Sequence, residues 1–291
     1  MKVSGWTIVR NAVKYDYPIV EAINSILPIC DEMVVAVGNS EDNSLEIIKN
    51  INSPKIKIIE TVWDDKLREG GKILAIETNK ALANIEKDSD WAFYIQADEI
   101  IHEKYLPMIK EAMLKYKNDK NVEGLLFNYL HFYGGYNYVG NSRKWYRNEI
   151  RIIRNDKKIY SFRDAQGFQK DGRPLFVKKI DAFVYHYGWV KPPSVQQTKR
   201  KNFHKFWHSD EWLKKNIPTE NNYNYQEVDN LETFTDTHPQ VMSERIKNQD
   251  WKFVFDEKNA HFPFRHRLLY WVEKCTGWRI GEYKNYKLLK N

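Results

Sequence analysis

The sequence predicts an α/β protein of three layers, α/β/α, built on a mixed sheet, with a helical, aromatic-rich extension at its C-terminal end. Three observations carry that expectation. Through the first 120 residues, short apolar β-rich runs alternate with longer segments of helical period, as consecutive βα units do. Beyond Asn121 the texture changes to strand-like segments rich in Tyr, Phe and Arg, which suits antiparallel pieces continuing the same sheet. The 42% hydrophobic content of 291 residues can supply a core of that size. The expected organisation is a first half over 1–120, a second half of the same domain over 121–190, and the extension over 191–291.

Val3 to Arg10 reads as the first strand. After the turn Tyr15-Asp16-Tyr17-Pro18, residues Ile19, Val20, Ala22, Ile23, Ile26 and Leu27 fall at helical spacing, and Pro28 closes the pattern. Met33 to Val37 is a buried strand. The cluster Gly38 to Ser44 turns into a helix over Leu45 to Ile51, and Lys55 to Glu60 is the next strand. Gly70-Gly71 begins a long helix ending near Lys87. The fourth strand, Trp91 to Gln96, is nearly continuous in apolar residues, as central parallel strands are. It stops at Asp98-Glu99, before a helix from Glu103 to Tyr116. Strand-like segments follow at Leu125 to Phe132, Glu149 to Arg154, Lys158 to Phe162 and Ala182 to Tyr187. From Pro192 onward the pattern is helical and polar, with Trp207, Trp212, Trp251, Trp271 and Trp278 as packing anchors.

Composition narrows the function classes. No run reaches the roughly 20 apolar residues of a spanning helix, and the start Met1-Lys-Val-Ser-Gly-Trp6 lacks a signal-peptide pattern, so a cytoplasmic protein is expected. Cys30 and Cys275 show no metal or redox spacing and read as two reduced thiols. The net charge of +7 hides an asymmetry: residues 1–123 hold 16 Lys and Arg against 21 Asp and Glu, the remainder 30 against 18. A basic, aromatic second half suits nucleic acid, an anionic membrane surface or phosphorylated substrates.

The strand end Trp91-Ala-Phe-Tyr-Ile-Gln-Ala-Asp98-Glu99 carries the chemistry. It delivers two carboxylates to the sheet edge where ligands bind, and hard oxygen ligands there suit Mg²⁺ or Mn²⁺ on a diphosphate. Acidic residues at a helix N-terminus are the bland alternative. Four segments decide between them by resemblance: Thr7-Ile-Val-Arg-Asn11, Asn39-Ser-Glu-Asp-Asn-Ser44, Gly70-Gly-Lys72 with Ala75 and Asn79, and Gln96-Ala-Asp98-Glu99. In this order and spacing they resemble the nucleotide-binding half of family 2 glycosyltransferases, over about the first 190 residues. The resemblance implies a GT-A (Rossmann-like) fold, a nucleotide-sugar donor, a saccharide or lipid-linked acceptor and a divalent metal, Mn or Mg. It places Arg10, Asn11, Asp42, Lys72, Gln96, Ala97 and Asp98 at the donor, and Asp98 with His186 at the metal. The sequence departs from the family at Val37-Gly38, where an Asp pair contacts the base, and at Gln96, which stands where the first metal-motif Asp would.

Asp164, in the polar loop Ser161 to Phe168, is the candidate base for the acceptor hydroxyl of an inverting transferase, with Glu149 and Asp236 in reserve. A salt bridge to Arg163 or a neighbouring Arg is its structural alternative. Arg68, Arg143 and Arg147 join Arg10 and Lys72 as cations for the diphosphate, Arg10 and Lys72 foremost. The loop His131-Phe-Tyr-Gly-Gly-Tyr-Asn-Tyr138 either stacks on sugars or is a plain hairpin turn. The other histidines, His102, His131, His204, His208, His238, His261 and His266, show no metal-ligand spacing. Phe264 to Cys275 mixes basic and bulky apolar residues, and reads as a helix docked on the body or resting peripherally on a membrane. The function expected is sugar transfer in polysaccharide or lipopolysaccharide synthesis. The alternatives are a nucleotidyltransferase, disfavoured because Thr7 to Ala12 has no glycine, a basic nucleic-acid-binding protein, disfavoured by the acidic first half, and an inactive sugar-binding relative.

Overall fold

The computed structural model of the chain describes residues 1–217, 219–256 and 264–290, with backbone alone over 264–267. The first βα units run β1 (Val3–Val9), α1 (Ile19–Ile26), β2 (Glu32–Gly38), α2 (Ser44–Lys49), β3 (Ile56–Thr61), α3 (Lys72–Leu82) and β4 (Trp91–Tyr94). There follow β5 (Glu99–Ile101), α4 (Leu106–Tyr116), β6 (Gly124–Tyr133), β7 (Tyr138–Gly140), β8 (Asn148–Arg154), β9 (Ile159–Phe162), β10 (Gly167–Lys170) and β11 (Arg173–Trp189). The rest comprises α5 (Pro193–Phe203), α6 (Asp210–Asn216), β12 (Leu231–Thr233), α7 (Ser243–Lys247), α8 (Phe264–Thr276) and β13 (Tyr286–Leu288).

The sheet order is β3-β2-β1-β4-β8-β6-β11-β10-β9. Strands β3, β2, β1 and β4 are parallel, β8 is antiparallel to both β4 and β6, and β6 is parallel to β11. The mixed sheet expected from the change of texture after Asn121 is therefore present. Side-chain alternation supplies the three layers, because successive strand residues point to opposite faces. Met33, Val35, Val37, Trp91 and Phe93 pack with Ile23 of α1, Ile48 of α2 and Ile109 of α4. Trp6, Val34, Ala36, Ala92 and Tyr94 pack on the other face with Ile73 and Ala81 of α3.

Some boundaries differ from expectation for identifiable reasons. β4 stops at Tyr94 rather than Gln96, because the Glu99 carboxylate accepts from the Gln96 N–H (3.1 Å) and the Glu99 N–H donates to the Gln96 carbonyl (3.1 Å), closing a turn. α3 ends at Leu82, not near Lys87, and the Asn84 amide donates to the Lys80 carbonyl (2.9 Å) at its last turn. Residues 191–291 contain helices as expected. They also give the sheet two short strands, β12 on β7 and β13 on β11.

Two of the expected packing anchors, Trp271 and Trp278, are exposed. The loop after His131 is a packed turn: Tyr133 and Tyr136 are buried, and Tyr133 meets Trp145, Tyr225 and Phe253 edge-on and Trp189 at a tilt. Glu99 is equally buried, and this corrects its reading as one of two ligand-facing carboxylates. Its oxygens accept from Arg151 Nε and Nη2 (2.8 and 2.7 Å) and from the Tyr129 hydroxyl (2.7 Å). Both members of the ion pair are wholly inaccessible. Removing one would strand the other charge in the core, so Arg151→Met should lower unfolding free energy by about 3–5 kcal/mol in urea titrations.

Candidate active site

In the strand order 3-2-1-4 the chain leaves β1 in opposite directions, so a crevice opens between the carboxyl ends of β1 and β4. The structure has a pocket of about 560 Å³ there. Ile8 to Asn11 at the end of β1, Gln96 to Asp98 after β4, Asp164 to Gln166, His186, Lys199, Arg200 and Asn202 to Phe206 line it.

His186 belongs to β11, where it is in register with His131 of β6 and Glu99 of β5. A register irregularity between His186 and Trp189 then brings Gly188 against the site. A Cβ at Gly188 would lie 2.6 Å from His186 Nε2 and 2.9 Å from Asp98 Oδ2, so any other residue would crowd this corner. Asp98 is held between the Tyr187 N–H, which donates to its carbonyl (2.8 Å), and Lys199 Nζ, which donates to Oδ2 (3.0 Å) and to the Gly188 carbonyl (3.0 Å). Burial alone would raise the Asp98 carboxyl, but the cations around it, Lys199 foremost, hold it well below the usual range.

Hydrogen-bond bookkeeping fixes the histidine tautomers. His131 Nε2 lies 2.8 Å from the Tyr146 carbonyl oxygen, which can only accept, so Nε2 carries the proton. Burial, with His186 beside it, keeps the His131 ring neutral, which leaves Nδ1 as an acceptor. Across 3.1 Å it must receive the Nδ1–H of His186. Burial also lowers the His186 pKa, so its Nε2 presents a bare lone pair to Asp98 Oδ1 at 3.7 Å. Two acceptors facing one another are satisfied by a cation or a donor between them. The pair therefore fits a divalent metal with two protein ligands. Among the described residues no group of three or more His, Cys, Asp or Glu converges, so donor oxygens and water would complete its shell.

Asp164 sits in the four-residue turn between β9 and β10. Its neighbours Arg163 and Ala165 both adopt left-handed backbone (φ 53° and 61°), a costly conformation for side-chain-bearing residues that recurs at functional loops. Arg163 turns away to donate to the Tyr283 hydroxyl (3.1 Å), so the expected alternative, an Arg163 salt bridge, is absent from the described contacts. Three contacts fix the turn. Gln96 Nε2 donates to the Ala165 carbonyl (3.4 Å), Arg151 Nη1 donates to the Gln166 carbonyl (3.1 Å), and Asp164 packs on Gly71. Gly71 has φ 69°, and a Cβ there would lie 2.7 Å from both Asp164 and Trp207.

Of the expected donor residues, Arg10, Asn11, Gln96, Ala97 and Asp98 line the pocket. Arg10 grips Asp65 through both terminal nitrogens, and Asn11 ties the end of β1 to the Glu41 N–H (2.7 Å). Asp42 and Lys72 do not line it. Asp42 instead accepts from the Lys14 and Ser44 N–H groups (2.7 and 3.0 Å), bracing the start of α2, and Lys72 pairs with Glu69 one turn away (2.8 Å) on the exposed face of α3. Arg68 reaches the pocket but pairs with Asp210. Arg143 and Arg147 bind Glu273 and Glu282 on the far C-terminal segment. The reserve bases fail on position: Asp236 pairs with Lys104, and Glu149 is buried under the Gln166 and Asn285 amides (2.8 and 2.9 Å). His131, given no role by spacing, orients His186, while His261 and the His266 side chain lie outside the described residues. Lys199, Arg200 and Lys205 also line the pocket, although nothing in the sequence singles them out: the basic run Lys199-Arg-Lys201 carries no signal that points back to a strand end 101 residues earlier.

No protein-family model matches the chain, and no curated protein matches it. Among solved structures, it is similar to S. aureus TarS in complex with UDP at 16% identity and TM-score 0.42, over 69% of this chain and 64% of that one. It is also similar to M. tuberculosis glucosyl-3-phosphoglycerate synthase with Mn²⁺, UDP and phosphoglyceric acid (16%, TM-score 0.31, 45% and 43% of the two chains). A third is the Pyrobaculum calidifontis mannosyltransferase with GDP-Man and Mn²⁺ (18%, TM-score 0.33, 43% and 34%). The chain spans less than two thirds of each of these three, so the functional reading rests on the site itself.

Two outcomes test this geometry. His131→Phe keeps the ring stacked on Trp145 and Tyr129 but removes the tautomer lock. It should weaken Mn²⁺ binding about 10- to 100-fold by calorimetry, and lower stability by about 1–3 kcal/mol because the Tyr146 carbonyl and the His186 Nδ1–H lose their buried partner. Glu149 is pushed by burial from its ordinary 4.5 up to about 7. Its contribution to stability is thus complete below about 4.5 and is lost as pH rises through about 7. Glu149→Gln should flatten that fall, on the order of 3 kcal/mol, in denaturation curves taken across the interval.

Proposed function

We propose that this chain is a GT-A-type glycosyltransferase that moves a sugar from a nucleoside-diphosphate donor to an acceptor hydroxyl, with inversion at the anomeric carbon. One observation carries the reading. At the topological switch point, the carboxylate of Asp98 and the lone pair of His186 Nε2 share a pocket with Lys199, Arg200, Lys205 and Arg10, and Asp164 lines the same pocket. An anion-rich ligand with a cation-binding centre is what such a set accommodates.

In this reading the donor diphosphate lies along the α5 side of the pocket, where Lys199 and Arg200 offset its charge and orient it. A divalent cation held by Asp98 and His186 would supply further neutralisation of the departing diphosphate. The Asp164 carboxylate accepts the proton of the acceptor hydroxyl as that oxygen attacks the anomeric carbon from the face opposite the leaving group. The bond from that carbon to the diphosphate oxygen breaks, and the nucleoside diphosphate departs with the electron pair. Trp63, Tyr146, Trp189 and Phe206 give the pocket the flat apolar surface that bases and sugar rings stack on. A surface polysaccharide or lipopolysaccharide is the product class we assign.

Incubation with a panel of nucleotide-sugars and Mn²⁺ should release nucleoside diphosphate slowly without acceptor and faster with a saccharide acceptor. If no donor is bound or cleaved, the reading fails. Asp98→Ala should abolish release. Asp164→Asn should lower acceptor-dependent turnover about 10²–10⁴-fold while donor affinity by calorimetry stays within about twofold, since a base acts on the acceptor proton.

A further inference from the structure

α8 is attached to the body by its polar side. Tyr270 accepts a hydrogen bond from the Asn141 amide (3.4 Å), and Glu273 receives Arg143, Arg147 and Arg279 (3.1, 3.3 and 2.9 Å). Leu268, Trp271 and Cys275, spaced three and four residues apart on the opposite side, face solvent. Leu268 is 54% exposed and Trp271 63%, and Trp278, just past the helix end, is 64% exposed. A helix of a water-surrounded domain ordinarily buries its apolar stripe and shows its charges. Here Leu268, Trp271 and Cys275 face outward instead, while Leu269 and Val272 are half-buried.

The outward-facing set extends beyond the helix. Six of the fifteen large apolar or aromatic side chains exposed among the described residues fall in this segment: Leu268, Trp271, Trp278, Ile280, Tyr283 and Leu288. The charges are sorted as well. Glu273 and Glu282 are turned inward against arginines, with side chains 12% and 13% accessible, while Lys274, Lys284, Lys287 and Lys290 are exposed. Thr276 apart, the side chains that remain outside are apolar, aromatic, the Cys275 thiol or cationic, with Lys284 also 3.6 Å from Glu282. We propose that this segment is a docking surface for an anionic lipid bilayer. Leu268, Trp271 and Trp278 enter the headgroup boundary, where indoles are favoured, and the lysines lie over lipid phosphates. A second copy of the chain fits the surface less well, because its lysines would face lysines. The proposal is independent of the transferase reading, since it concerns neither the pocket nor turnover.

The full chain, without donor, is sedimented with vesicles of phosphatidylglycerol and phosphatidylcholine and, separately, of phosphatidylcholine alone. Binding should be at least about tenfold tighter to the anionic vesicles, weaken in high salt, and blue-shift the tryptophan emission. Combining Leu268→Ser, Trp271→Ser and Trp278→Ser should cost about tenfold or more in affinity, with circular dichroism and melting temperature preserved because these side chains are exposed. Lys274→Glu with Lys284→Glu should remove the preference for anionic lipid. Equal binding to both vesicles, undiminished binding of the serine variant, or a solution dimer that the serine changes dissociate would each overturn the proposal. Donor cleavage, assayed separately, leaves the two conclusions distinguishable.

Discussion

The buried ion pair of Glu99 and Arg151 is the interaction on which the site depends. Glu99 follows the turn that carries Gln96, Ala97 and Asp98, and it holds the Gln96 N–H as well as Arg151. Arg151, on β8, holds Glu99 with one edge and the Gln166 carbonyl with another nitrogen, and its guanidinium lies over the rings of Tyr94 and Tyr129 (5.3 and 5.4 Å). One cation thus fixes the separation between the loop of Asp98 and the loop of Asp164. A buried pair is weak evidence for stability, since hydrophobic replacements can be as stable. Its value here is geometric, because a guanidinium can satisfy a carboxylate and a carbonyl in fixed directions at once and an aliphatic side chain cannot.

Around that frame the charges are arranged in layers. Tyr17 lies between the ammonium groups of Lys191 and Lys199, each 4.8 Å from its ring. Lys191 is fully buried, donates to the Asp16 carbonyl, and is brought down by burial to about 7. Lys199 reaches Asp98, and His131 behind His186 directs the imidazole lone pair to the same place. Tyr17, Asp98, His186 and Lys199 line the pocket, and Lys191 and His131 hold their places from behind it. Such pre-oriented polar groups lose little reorganisation energy when a charged ligand arrives.

The C-terminal hundred residues are part of this machinery rather than an appendage. α5 and the turn after it wall the pocket, Arg245 of α7 pairs with Asp16 and Glu21, and β13 adds to the edge of β11. The same segment ends in a surface on which Leu268, Trp271 and Trp278 face outward.

The sequence by itself determined the βα order, the two-faced alternation that makes three layers, the strand end at which the pocket opens, and Arg10, Asn11, Gln96, Ala97, Asp98, Asp164 and His186 among the residues that line it. These are local properties: period, apolar run length and the residue types at a strand end are written within a few consecutive positions. Only the tertiary structure decided that Glu99 faces Arg151 and not the ligand, that Asp42 and Lys72 serve local turns, and that Lys199 completes the site from 101 residues away. It also decided that His131 orients His186 and that Leu268 and Trp271 look outward rather than into the body. Acidic or basic character can be read from a residue's name. The partner that takes up the charge is chosen by the fold, because pairing depends on distance in space and the chain sets only distance along itself.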